Sequence, residues 1–169
     1  MTRLSRIHAV AAAIAILVGA ASLSAAQGDN GMNQDTPDMK ELREYQLTAD
    51  KLNRFESAAK AYQKMMKDNP GLEDKLRAAS GNNSGPNTIA QSTAALDKFP
   101  QLTGAIKPFG FSSHEYIVMA YELMNAYSYA EVKKGDPSAP MPLSVSAANA
   151  AFASNNYARV QALMQLLSE

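Results

Sequence analysis

The chain contains no cysteine. That absence excludes disulfides, thiolate metal sites, iron–sulfur clusters, covalent haem attachment and cysteine nucleophiles together. Histidine is scarce, with only His8 and His114. Neither sign of charge is in excess, since sixteen basic residues face sixteen acidic ones. No polybasic stripe of the kind that nucleic-acid backbones require runs along any segment. Strand patterning is missing too, because nowhere does a run of β-branched residues alternate with polar ones. A domain built from this chain must therefore be all-α and held by its apolar core.

What is present begins at the N-terminus. Arg3 and Arg6 make it positive, and the first acidic residue is Asp29. Ala9 to Leu23 is an apolar run, and Ser24-Ala25-Ala26 offers small residues at the two recognition positions of a signal-peptidase cut. This order of parts is that of a cleavable secretory signal over residues 1–26, with Gln27 as the new N-terminus. The run is shorter than the roughly 20 apolar residues of a spanning helix, so no stable membrane anchor is expected after cleavage. The arginines are not adjacent, which sets aside the twin-arginine route. Cleavage leaves sixteen acidic against fourteen basic residues, too even a balance to make nucleic acid or an anionic membrane a partner. It also removes His8. The expected location is periplasmic or secreted.

Beyond the cut, residues 27–41 read as a disordered leader and residues 42–169 as one helical domain. The first strong helix starts at an N-cap, Thr48, with Leu47 and Leu52 as a hydrophobic staple. Leu52, Phe55, Ala59, Tyr62 and Met66 keep one face apolar until Asn69-Pro70-Gly71 stops the helix. Asn69 and Pro70 also suit the start of a short helix over 72–79. A loop over 80–87 precedes helices over 88–98 and 100–106. The best-signalled helix follows Ser112, where Ser112 and Glu115 match a capping box and Phe111 and Tyr116 a staple. It is apolar on most of its circumference and ends at Lys133-Lys134-Gly135. Such a helix belongs at the centre of its domain. After a proline-rich stretch over 136–143, Ser144 or Ser146 caps an Ala-rich helix, and Asn155 or Asn156 caps the last one. The expected architecture is a compact irregular bundle of about six helices around the helix at 112–134.

Few side chains suggest chemistry. His114 lies in the first turn of a capped helix, where side chains point to water. A haem or other His–Met site would need it aimed into the bundle, and Met65, Met66, Met119, Met124 and Met164 suit flexible core filling instead. No Glu-x-x-His motif, nucleophile elbow or phosphate-cradling glycine loop occurs. Glu115 is engaged by the cap and Glu122 falls on the outer side of its helix, so no carboxylate pair forms. No catalytic residue, metal site or cofactor is expected, and the chain does not read as an enzyme. The tyrosines allow two readings: Tyr116, Tyr121, Tyr127 and Tyr129 crowd one helix, either as core or as the lining of an apolar pocket. His114, Tyr121 and Met124 are the residues such a small-ligand or haem carrier would use. Should the outer stripe of Val118, Tyr121, Tyr129 and Val132 be exposed, it would be the surface for a partner.

Several pieces occur together: Leu47-Thr48 with Leu52 and Phe55, then Phe99-Pro100, Ala105-Ile106 and Gly110-Phe111-Ser112 with Glu115-Tyr116, then Asn149, Phe152, Asn156, Val160 and Leu163. In combination they resemble a group of uncharacterised exported all-helical proteins of environmental Gram-negative bacteria. The resemblance covers most of residues 42–167 and implies the fold and the export, with no catalytic residues to transfer. The expectation is an exported helical binding or interaction module. Its partner would be another periplasmic protein or a small apolar ligand.

Overall fold

The computed structural model describes residues 35–80 and 87–168. The expected export signal and the first part of the expected leader lie outside these residues, as do 81–86 of the expected loop. The described residues are all-α, with eight helices and no strand.

Helix α1 (Pro37–Glu44) begins inside the expected leader, which its first five residues, 37–41, occupy. Its start is locally encoded: the Thr36 hydroxyl accepts from Met39 N, and Pro37 stands where no N–H is needed. Tertiary bonds hold it down. The Asp38 carboxylate accepts the Ile89 amide at 2.9 Å, and Arg43 grips Asp35 with two nitrogens. The leader therefore gives way to the folded domain before Leu42, because a polar segment can be ordered by bonds that an apolar period does not reveal.

Helix α2 (Ala49–Asp68) follows its caps and period closely, and Leu52, Phe55, Ala59 and Tyr62 are completely buried. Asn69 does not cap the next helix, because its amide turns back to donate to Met65 O at 2.8 Å. Gly71, at a φ of 88° that only glycine adopts freely, makes the reversal into α3 (Leu72–Ser80). A full capping box between Thr88 and Gln91 opens α4 (Ile89–Asp97). Pro100 opens α5 (Pro100–Ile106), which runs into a 3-10 turn at Lys107–Phe109. Gly110 ends that turn at a φ of 79°, and a Cβ there would stand 2.9 Å from Arg54 Nη1.

Helix α6 (Ser113–Gly135) is the centre of the molecule, as its apolar circumference predicts. It packs against α1, α4, α5 and two C-terminal helices, α7 (Ala147–Asn155) and α8 (Tyr157–Ser168). Helix α2 lies across α5 and α8 and reaches α6 through aromatic side chains. Phe55 meets Tyr116 with ring centroids 4.9 Å apart, and Tyr62 stacks on Tyr116 at 5.7 Å. Each such side chain contributes on the order of 1.5–3 kcal/mol through burial. Ser146 caps α7 by accepting from Asn149 N. Asn156 donates its amide back to Phe152 O, closing α7 rather than capping α8.

Candidate functional site

The polar residues that the fold gathers in its interior lie where α6, α7 and the α1–α2 junction meet. Their centre is Asn149, on a helix otherwise rich in alanine. Its Nδ2 donates to Tyr45 O at 2.6 Å and to Glu122 Oε1 at 2.7 Å, while its Oδ1 accepts from Leu47 N at 3.0 Å. One amide thus satisfies the junction and reaches the central helix, using both its hydrogens and its oxygen.

Glu122 corrects the expectation that it faces outward, because no part of it is exposed. The cause is the helix itself: with Val118, Ala126 and Tyr129 all buried on the same side, α6 has no polar face there for a carboxylate. Glu122 Oε2 is buried with no partner among the described residues. Burial pushes the Glu122 carboxyl up to about 8, against a smaller downward pull from the Asn149 hydrogen bond. The group is a neutral acid over most of the physiological range.

Other polar interior groups are further apart. The Tyr121 hydroxyl lies 2.6 Å from Ser92 Oγ. The hydroxyls of Tyr62 and Tyr116 are buried without a partner among the described residues, and burial raises both phenols. Nearer the surface, Arg159 donates to both oxygens of Glu56, at 2.6 and 2.8 Å, tying α8 to α2. The guanidinium holds the Glu56 carboxyl below its usual range.

The residues expected of a carrier do not converge. His114 stays in water on the first turn of α6, with its Nε2 2.6 Å from Glu41 Oε1. Tyr121 is in the core, bonded to α4, and Met124 is partly buried against that core. The tyrosines at 116, 121 and 129 are buried, so the expected outer stripe is interior at Val118, Tyr121 and Tyr129 and exposed only at Val132. Among the described residues, no His, Asp and Glu side chains group as a metal ion requires. The Ser112 half of the capping box forms, with its hydroxyl accepting from Glu115 N. The Glu115 carboxylate meets the Tyr45 hydroxyl at 3.4 Å.

Large apolar side chains remain in water at Val132, Met141 and Leu143. The last two belong to the proline-rich segment joining α6 to α7. Its buried Ala139 and Val145 pin it on either side, leaving Met141 and Leu143 outside. Arg43 Nη1 donates to Leu143 O at 2.6 Å, and Lys133 to Pro137 O, so the segment is held in place.

No family model, curated protein or solved structure matches this chain. Fold and side-chain placement therefore define the class, an all-α bundle with a buried carboxyl–amide pair and a tethered apolar segment.

Proposed function

We propose that this chain is an exported, non-enzymatic binding module whose contact surface is the segment between α6 and α7 together with Val132. The observation that carries this reading is the exposure of Met141 and Leu143 on backbone tethered at both ends. Methionine and leucine held out on an ordered segment present an apolar contact without the ordering cost of a floppy loop. Three side chains cover far less than the roughly 800 Å² per partner of a stable interface, which suits a transient contact with another protein. Export rests on Arg3, Arg6, the apolar run and Ser24-Ala25-Ala26. No helix among the described residues is long and apolar enough to cross a membrane.

Photo-crosslinking from position 141 in intact bacterial cells tests the surface. A defined partner should be captured, and Leu143→Asp in the crosslinking chain should abolish its capture while leaving the melting temperature unchanged. Capture that is indifferent to Leu143→Asp, or no capture at all, would remove the reading. Export is tested separately by the mass of the cell-associated protein, which should begin at Gln27.

A further inference from the structure

The carboxyl–amide pair joins three parts of the chain that sequence holds far apart. Asn149 on α7 bonds to Glu122 on α6 and to backbone atoms of Tyr45 and Leu47. Asn149 and Glu122 are 1 % and 0 % exposed, so water does not compete for these bonds. We propose that Glu122 and Asn149 form a proton-operated latch, which holds α7 and the α1–α2 junction on α6 while the carboxyl is protonated and releases them when it loses its proton.

The reason lies in what an ionised Glu122 would have to find. A carboxylate offers about four acceptor sites, and a buried one persists only when cations or several donors fill them. Here Asn149 supplies one donor, and Oε2 has none among the described residues. The packed elements bring no buried cation among the described residues. Helix α7 has no charged residue, and α5 has none. On α1, Asp38 accepts the Ile89 amide, Glu41 pairs with His114, Arg43 holds Asp35, and Lys40 and Glu44 are exposed. On α4 the sole charged residue is Asp97, at the C-terminal end. On α8, Arg159 is committed to Glu56. At the junction, Lys51 lies over the Tyr45 ring and Arg54 pairs with Asp50. Along α6, Glu115 meets the Tyr45 hydroxyl, and Glu131, Lys133 and Lys134 belong to the far end.

When the carboxyl O–H bond breaks, the proton leaves to solvent and the remaining charge can be satisfied only by water. Admitting water requires the layer that covers Glu122 to move, and that layer is α7 with residues 45–47. The position of the carboxyl's titration, about 8, puts the event within reach of ordinary changes in external pH. The segment carrying Met141 and Leu143 ends at α7, so release also loosens one of its tethers. The latch itself stands whether or not that segment binds a partner.

Amide hydrogen exchange of the full mature chain tests it, read at pH values about one unit or more either side of the carboxyl's titration and corrected for base-catalysed exchange. From the acidic to the alkaline side, protection of the Leu47 amide and of α7 should fall at least about tenfold relative to Leu52–Met66 in α2, since each further pH unit changes the ionisation equilibrium tenfold. In Glu122→Gln, which keeps the bond to Asn149 but has no proton to lose, the ratio should be independent of pH. Equal pH dependence in both chains, or no selective loosening of α7, overturns the latch. If Glu122→Gln does not fold, carboxyl-labelled glutamate in the unaltered chain decides. One resonance must titrate well above the others and in step with loss of Leu47 protection. Titration of every glutamate in the ordinary range, or loosening out of step with that resonance, overturns it equally.

Discussion

At Asn149, three side-chain hydrogen bonds are made without contact with water. Asn149→Ala would leave the Leu47 amide, the Tyr45 carbonyl and Glu122 without their partner. A buried group deprived of its bond costs about 1–3 kcal/mol, so a loss of about 3 kcal/mol or more is expected in urea unfolding. His114→Ala should by contrast cost under about 1 kcal/mol, since its pairing with Glu41 is exposed. The acids divide by sign. Glu122 is raised from its ordinary 4.5 to about 8, so the unfolded chain loses this proton first and stability falls as pH rises through that window. Glu56 is lowered by Arg159, so its contribution is present above its unfolded value and lost as pH falls through its folded one. Melting temperature should therefore be greatest in mildly acidic solution. A tenfold change in an ionisation equilibrium corresponds to about 1.4 kcal/mol, which makes the Glu122 window worth a few kcal/mol. Glu122→Gln should flatten the alkaline limb. An alkaline limb as steep in Glu122→Gln as in the unaltered chain would assign the slope elsewhere.

Caps and periods account for the individual helices. Thr48, Thr88, Ser112 and Ser146 each accept from the amide three residues on. Ser112→Ala should cost about 1 kcal/mol, visible as a lower melting temperature with unchanged helical circular dichroism. These starts are legible in the sequence because a cap is a local geometry that four or five residues complete. The starts of α3 and α8 are less so. Asn69 and Asn156 can serve either neighbouring helix, and both bond backward. The rotation of α6 in its surroundings is also hidden. A helix apolar on nearly every side has no polar face to orient it, so its period points Glu122 and Tyr129 outward where packing buries both. One signal is available in the sequence, a lone polar Asn149 amid alanines, which asks for a buried partner on another helix.

For the molecule as a whole, α1 is the least apolar helix and yet acts as a clasp. It reaches α4 through Asp38 and α6 through Glu41, and Arg43 holds the segment at Leu143. A chain starting at Leu42 keeps Arg43 but loses Asp38 and Asp35, and should consequently melt below one starting at Gln27, by an amount matching about 1–3 kcal/mol for the unpaired Ile89 amide. Equal melting temperatures would show residues 35–41 to be dispensable. The same tethers hold Met141 and Leu143 outside the core, giving the fold its candidate contact surface.

Helix content, the main caps and the central rank of α6 are readable from residue order, because hydrogen bonds three and four residues apart and apolar periodicity are properties of short stretches. The folding of residues 37–41, the burial of Glu122 and the exposure of Met141 and Leu143 are not. Each depends on a partner between 27 and 104 positions away, such as Glu122 with Asn149 or Tyr45 with Asn149. Short-range order specifies which segments are helical. Which side meets water is settled only by packing where a helix, like α6, has no polar face to orient it.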